Sequence, residues 1–172
     1  MRCMSGNGLN MALIISKKLE TAKDLANEQA VVADLNAGKN QLILKNPYFY
    51  GIDYSCYRNG ELHCYLEIKT RNLMWEEDGE YFVGLCKFNW GKFLFNQTGK
   101  EWSLIVRMNN GDFIVKHDMM WAHGRIMHNG RLDRLVRSDG TYDKRYANDL
   151  EPCVHFPMRI MKKIGKHEKG HT

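Results

Sequence analysis

Asp53 is followed fourteen residues later by Glu67, Ile68 and Lys69, two carboxylates and an amine that together can work on a phosphate ester. Two carboxylates on one face offer the oxygen ligands that a hard divalent cation such as Mg²⁺ or Mn²⁺ prefers. Such a cation acidifies water and neutralises phosphate charge during a displacement at phosphorus. Lys69 is placed to orient the attacking water or to stabilise charge developing on the phosphate. With carboxylates beside it, its ammonium is expected to stay charged unless buried. The backbone carbonyl of Ile68, at the same strand edge, is a further candidate ligand. The spacing alone does not separate this chemistry from a solvated charged strand. What separates them is the direction in which Asp53 points.

Residues 51–57 and 61–70 read as two strands joined at Arg58-Asn59-Gly60. Side chains alternate along a strand, so Glu67 and Lys69 share one face. Leu62, Cys64, Leu66 and Ile68 take the other, expected to be the core face. A two-residue loop, Asn59-Gly60, would set Asp53 opposite Leu66, on the wrong side. A three-residue loop with Gly60 left-handed in a bulge pairs Tyr57 with Glu61 and Asp53 with Tyr65, turning Asp53 towards Glu67 and Lys69. That register is the prediction; a bend or bulge elsewhere in the Asp53 strand would give the same facing.

The surrounding chain supplies elements to hold this hairpin. Over residues 17–37, Leu19, Ala22, Leu25, Ala26, Ala30, Val32, Ala33 and Leu35 recur at helical spacing, with Ser16 as a start signal and Gly38 as a stop. A short strand is predicted at 41–44 before a turn at Asn46-Pro47, and another at 80–85. A second helix spans 88–97 and closes near Gly99. A hairpin of 102–108 and 112–116 turns at Asn110-Gly111. Residues 124–143 are basic and turn-rich, 154–161 read as a strand, and 162–172 as a frayed polar tail. The order predicts an α/β (α+β) fold, a central mixed sheet flanked by helices. The expected organisation is an N-terminal extension (1–16), one domain (17–161) and a basic flexible tail (162–172).

A chain of 172 residues suits one domain with a core of its own. The five cysteines are odd in number and lack C-x-x-C spacing, which argues against a disulfide framework or zinc ribbon and for a reducing compartment. No apolar run approaches the length of a membrane span, and the start lacks the apolar centre of a signal peptide. A cytoplasmic protein without a membrane partner is expected. The net charge of +5 fits a polyanionic partner without requiring one.

The segment GIDYSCYRNGELHCYLEIKTRN (51–72) resembles the core of the PD-(D/E)XK, or restriction-endonuclease-like, nuclease superfamily, particularly small phage and prokaryotic members. The order of elements continues to match through YFVGLCKFNWGKFLFNQTGKEWSLIVRMNNGDFIV and NDLEPCVHFPM, so the resemblance covers residues 17–161. Ile52 stands where the family name has proline. The resemblance implies a mixed sheet with the active site at one edge beside the first helix, metal-binding carboxylates at Asp53 and Glu67, and the signature lysine at Lys69. A glutamate of the first helix often completes such sites; Glu28 is the candidate to order a metal-bound water, with Glu20 as the alternate. A basic residue near the second helix often assists, and Lys87 and Lys92 are the candidates.

Arg125, Arg131, Arg134, Arg137, Lys144 and Arg145, with Tyr142 and Tyr146 interleaved, form a basic stretch able to grip phosphates. A solvated hairpin is the plain alternative. His117, His123 and His128 fit no zinc spacing and read as ordinary loop residues. Together these features predict a Mg²⁺-dependent endonuclease acting on DNA. The alternatives are a structure-selective junction resolvase working as a homodimer, or a catalytically silent nucleic-acid-binding or virion-associated module.

Overall fold

The computed structural model of the chain describes residues 22–37, 39–47, 50–129 and 151–165. In chain order these form α1 (Ala22–Asn36), β1 (Gln41–Lys45), β2 (Tyr54–Arg58), β3 (Glu61–Thr70), β4 (Glu80–Gly84), α2 (Leu85–Thr98), β5 (Trp102–Met108), β6 (Gly111–Lys116), α3 (His117–His123), β7 (Arg125–Asn129), β8 (Glu151–Pro157), a 3-10 turn (Met158–Ile160) and β9 (Lys162–Gly165). The predicted α+β architecture with a central mixed sheet is present. Six strands run in the order β1-β2-β3-β5-β6-β9, and a second sheet runs β4-β8-β7. The β3–β5 pair is parallel and its neighbours are antiparallel. Parallel neighbours need a crossover, and β4 with α2 supplies it.

A strand with helices on both sides is buried on both faces. One apolar cluster joins α1 to the sheet through Val31, Leu35, Ile43, Tyr54, Leu66, Ile68 and Ile105. The other fills the space beneath α2, α3 and the second sheet, with Tyr65, Phe88, Trp102, Leu104, Val106, Met120 and Phe156. β5 therefore reads as an unbroken apolar run, and all of Trp102–Met108 is buried. β3 is likewise buried from Tyr65 to Ile68. The Glu67 face of β3 is thus covered as fully as the Leu66 and Ile68 face expected to be the core.

The hairpin register also differs from expectation. Arg58 pairs with Glu61, so the loop is the two-residue Asn59-Gly60, not a three-residue turn. Both loop residues have positive φ (52° and 82°), the twist a tight hairpin favours. Parity is restored further along. Tyr57 pairs with Leu62 but Cys56 with Cys64, leaving His63 as an extra residue of β3. This bulge sends Leu62 to the α2-side cluster while Cys64 packs on the α1 side. Continued past Tyr54↔Leu66, the register sets Asp53 level with Glu67, not Tyr65.

Two further expectations are corrected. Residues 117–123 are helical and follow β6 without a loop, so His117 and His123 are not loop residues. Lys162–Gly165, taken as the start of a frayed tail, pair with β6 as an edge strand. Glu61 to Thr70 and Trp102 to Met108 form strands as their patterns predict, and the strand predicted at 41–44 runs one residue further, to Lys45. Among the described residues, no helix is long and apolar enough to cross a membrane.

Candidate active site

Where β2 begins, β3 has still to run four residues further. Its partner on that side stops at Leu66, so Glu67, Ile68 and Lys69 are paired only with β5. Tyr65 N–H donates to the Glu101 carbonyl beside β5, and Arg71 N–H to Arg107. Backbone groups alternate in direction along a strand, so the Ile68 carbonyl turns to the side that β2 has left. Asp53 occupies that side. Asn46 fixes its loop: its backbone N–H donates to the Asp53 carbonyl (2.8 Å), its side-chain amide donates to the Ile52 carbonyl (3.0 Å), and its amide oxygen accepts from the Ser55 hydroxyl (2.7 Å).

α2 closes the site from above. Gly91 allows the helix to sit on the Trp102 ring, since a Cβ there would lie 2.5 Å from the indole. One residue earlier, Trp90 covers Gly51, whose positive φ (78°) and close contact both exclude a side chain. These contacts bring Lys87, one turn before Trp90, over the two carboxylates. Lys69 Nζ lies 2.7 Å from Glu67 Oε1 and 3.2 Å from Asp53 Oδ2. Lys87 Nζ lies 3.0 Å from Glu67 Oε2 and 2.5 Å from Asp53 Oδ1. Each ammonium thus touches both carboxylates, which face one common space.

The two acids are unequal. Glu67 is 0% exposed, while Asp53 is partly open to solvent. Burial foremost, and then the charge of Asp53, push the Glu67 pKa up against the pull of the lysines. Burial also acts to raise Asp53, but attraction to Lys69 and Lys87 outweighs it and holds its pKa down at about 2. Burial would discharge the lysines, yet Glu67 and Asp53 more than compensate, and both lysine pKa values are raised. Asp53 accepts aligned hydrogen bonds from both ammoniums. Neither oxygen of Glu67 has a hydrogen-bond partner of good geometry among the described residues, despite the short ion-pair distances. Buried Tyr81 of β4 borders the group and interacts electrostatically with Lys69 and Glu67.

Four sequence candidates therefore converge: Asp53, Glu67, Lys69 and Lys87. Glu28 is buried but engaged elsewhere, its Oε2 accepting from the Tyr54 hydroxyl (2.9 Å) and from Lys45 (3.3 Å). It reaches the group only as a charge that helps raise the Lys69 pKa. Lys92 lies over the Trp121 ring at 4.2 Å, not over the acids. Arg125 of β7 pairs with Glu80 on the second sheet. Glu20, Arg131, Arg134, Arg137, Lys144 and Arg145 lie outside the described residues. Asn46 was read only as part of a turn; an asparagine just before the Asp53 loop was the available signal.

The profile of the phage putative PDDEXK endonuclease family matches residues 14–164. The chain belongs to that family. The match spans both clusters of the core and every element that carries Asp53, Glu67, Lys69 and Lys87. No curated protein matches the sequence.

Proposed function

We propose that the chain hydrolyses phosphodiester bonds of DNA, with a divalent cation held by Asp53 and Glu67. The observation that carries this reading is the shared space between the two carboxylates, bridged twice by ammonium groups. An oxygen-only donor set suits Mg²⁺ or Mn²⁺, and the unaligned oxygens of Glu67 fit a ligand role better than a purely structural one. The Ile68 carbonyl is a third candidate donor by its direction. When bound, the cation supplies a Lewis acid beside the phosphate and makes water more acidic.

The remaining work falls to the side chains. Asp53, ionised down to about pH 2, provides the permanent negative charge of the site. Lys69 stays protonated and is held by Glu67 and Asp53, so it points a fixed positive charge at the phosphate rather than acting as a base. Lys87 delivers a second positive charge from the start of α2. Glu28 supports Lys69 through its charge and, on this geometry, takes no direct part in holding the cation. Arg125 and the basic residues that follow it are assigned to gripping the DNA backbone.

The test is incubation of the chain with supercoiled, branched and single-stranded DNA, with Mg²⁺ or Mn²⁺ and with chelator. Metal-dependent nicking is expected, reduced roughly 10²–10³-fold by Lys69→Ala. Asp53→Asn should abolish metal-dependent cleavage while DNA binding persists. Binding that is indifferent to divalent metal, with no nicking of any substrate, would overturn the hydrolytic reading and leave a binding module.

A further inference from the structure

On the same face of the sheet as the acids, beyond α2, a groove of about 370 Å³ opens between α2 and α3. That volume falls in the range of small-molecule sites, roughly 300–1,000 Å³. Four of its wall residues are aromatic, Phe95 from α2, Trp102 from β5, and His117 and Trp121 from α3; the rim is charged, with Lys92, the Lys116–Glu101 pair and Asp118. Trp121 is 61% exposed, an unusual position for so large an apolar ring. Lys92 hangs over that ring.

Two features set this groove apart from a plain apolar cleft. The indole N–H of Trp102, a residue that is 0% exposed, is buried without a hydrogen-bond partner among the described residues. Nε2 of His117 is in the same state. Buried polar groups are normally paired, so two orphans in one wall point to a ligand with polar edges. Burial, followed by the charge of Lys92, lowers the His117 pKa, which leaves a neutral ring with one donor and one acceptor nitrogen. The His117 ring is fixed against Phe88, 4.7 Å between centroids, and Phe88 also packs on Trp102 and Trp121. Phe88 adjoins Lys87, so one aromatic cluster links the groove to the acid site. Lys92 lies five residues beyond Lys87, about 7.5 Å of helix rise. The two are also about 140° apart around the helix, so that rise is only the axial part of their separation.

We propose that the groove between α2 and α3 binds an unpaired nucleobase of the substrate strand. The base takes the place of Lys92 on the Trp121 ring, its polar edge reaches Trp102 Nε1 and His117 Nε2 as the groove's side chains shift to uncover them, and Lys92 moves to a flanking phosphate. A planar ligand bearing both donors and acceptors at its edge satisfies this wall, where an apolar side chain leaves both nitrogens orphaned. The proposal rests on the hydrolytic reading only in taking the base to be part of the strand that is cut. It places the substrate among DNAs with an unstacked or single-stranded nucleotide beside the scissile bond.

The experiment compares binding of fluorescently labelled oligothymidine with an abasic oligomer of equal length and charge, measured by anisotropy in chelator so that nothing is cut. The full-length chain should prefer the oligomer with bases by about ten-fold, in line with the worth of one aromatic stack. Trp121→Ala should erase that preference without changing affinity for the abasic strand, and Trp121→Phe should restore it. Because Trp121 is exposed, an unchanged melting curve for both variants is expected. Equal binding of the two oligomers, or a preference that survives Trp121→Ala, overturns the proposal. Cleavage in Mg²⁺ is scored separately. Base preference without cleavage in any metal leaves the groove standing and removes the hydrolytic reading; cleavage without base preference does the reverse.

Discussion

Two ionic clusters lie on opposite faces of the central sheet, one residue apart in register. On the α1 face, Arg107 donates to both oxygens of Asp112 (2.8 and 2.7 Å) and to Asp34 (2.6 Å). On the α2 face, Glu67 is more deeply buried, yet its oxygens receive two ammoniums without an aligned hydrogen bond. The planar guanidinium fork fits a carboxylate and leaves little unmet. Point-like ammoniums shared between two carboxylates leave Glu67 incompletely served. The first cluster has the geometry of a clamp joining helix to sheet, the second that of a site under electrostatic tension. On the proposed reading, well-matched charges fasten the fold at Arg107, and the mismatched ones at Glu67 are available to a cation.

That contrast can be broken most forcefully at the clamp. Arg107→Ala strands buried Asp112 and should cost about 3–5 kcal/mol of stability, read from denaturant midpoints. Glu67→Gln removes the costly buried charge from the other cluster. It should abolish metal-dependent cleavage and cost less stability than Arg107→Ala, because burial already disfavours the Glu67 charge and both lysines keep Asp53 as a partner. If Glu67→Gln proves as destabilising as Arg107→Ala, the two clusters are alike and the functional distinction fails.

A smaller effect sharpens the comparison through pH. Glu67 has a raised pKa, so its ionisation costs stability that is fully kept below its unfolded value of about 4.5 and lost as pH rises through the folded one. Asp53 has the opposite sign: its contribution is full above 3.8 and disappears as pH falls towards about 2. Cleavage should therefore rise with pH along a limb set by Glu67, above 4.5, and not by Asp53. Raising Mg²⁺ should move that limb to lower pH, since cation and proton compete for the same oxygens. A limb that ignores Mg²⁺ removes Glu67 from the proposed ligand set.

Much of the site was legible because its chemistry is local. Strand alternation alone placed Glu67 and Lys69 together, and the patterns of β3 and β5 gave their limits. The facing of Asp53 was foreseen, but the device that achieves it was not. A tight Asn59-Gly60 turn and an extra His63 act together, and a bulge in mid-strand leaves no mark in composition. Lys87 was a candidate only through the family resemblance, on a par with Lys92 and just ahead of the predicted helix. Its reach to the acids depends on how α2 lands, through Gly91 on Trp102 and Trp90 on Gly51, contacts set by distant segments. α3 escaped notice because it is a single short run continuing directly from β6. β9 escaped because the short run Lys162-Lys163-Ile164-Gly165 becomes a strand only beside the free edge of β6.

The bulge at His63 has one more consequence. Having no partner across the hairpin, this residue can be lost without moving any pair: excising His63 alone would keep Tyr57 opposite Leu62 and Cys56 opposite Cys64, and the Asp53 carboxylate would stay on the side of Glu67. Excising a paired residue such as Cys56 would instead set Asp53 opposite Leu66 and turn it into the oily layer under α1. The unpaired residue is thus where this hairpin tolerates shortening, while an equal cut a few positions away turns the acid over.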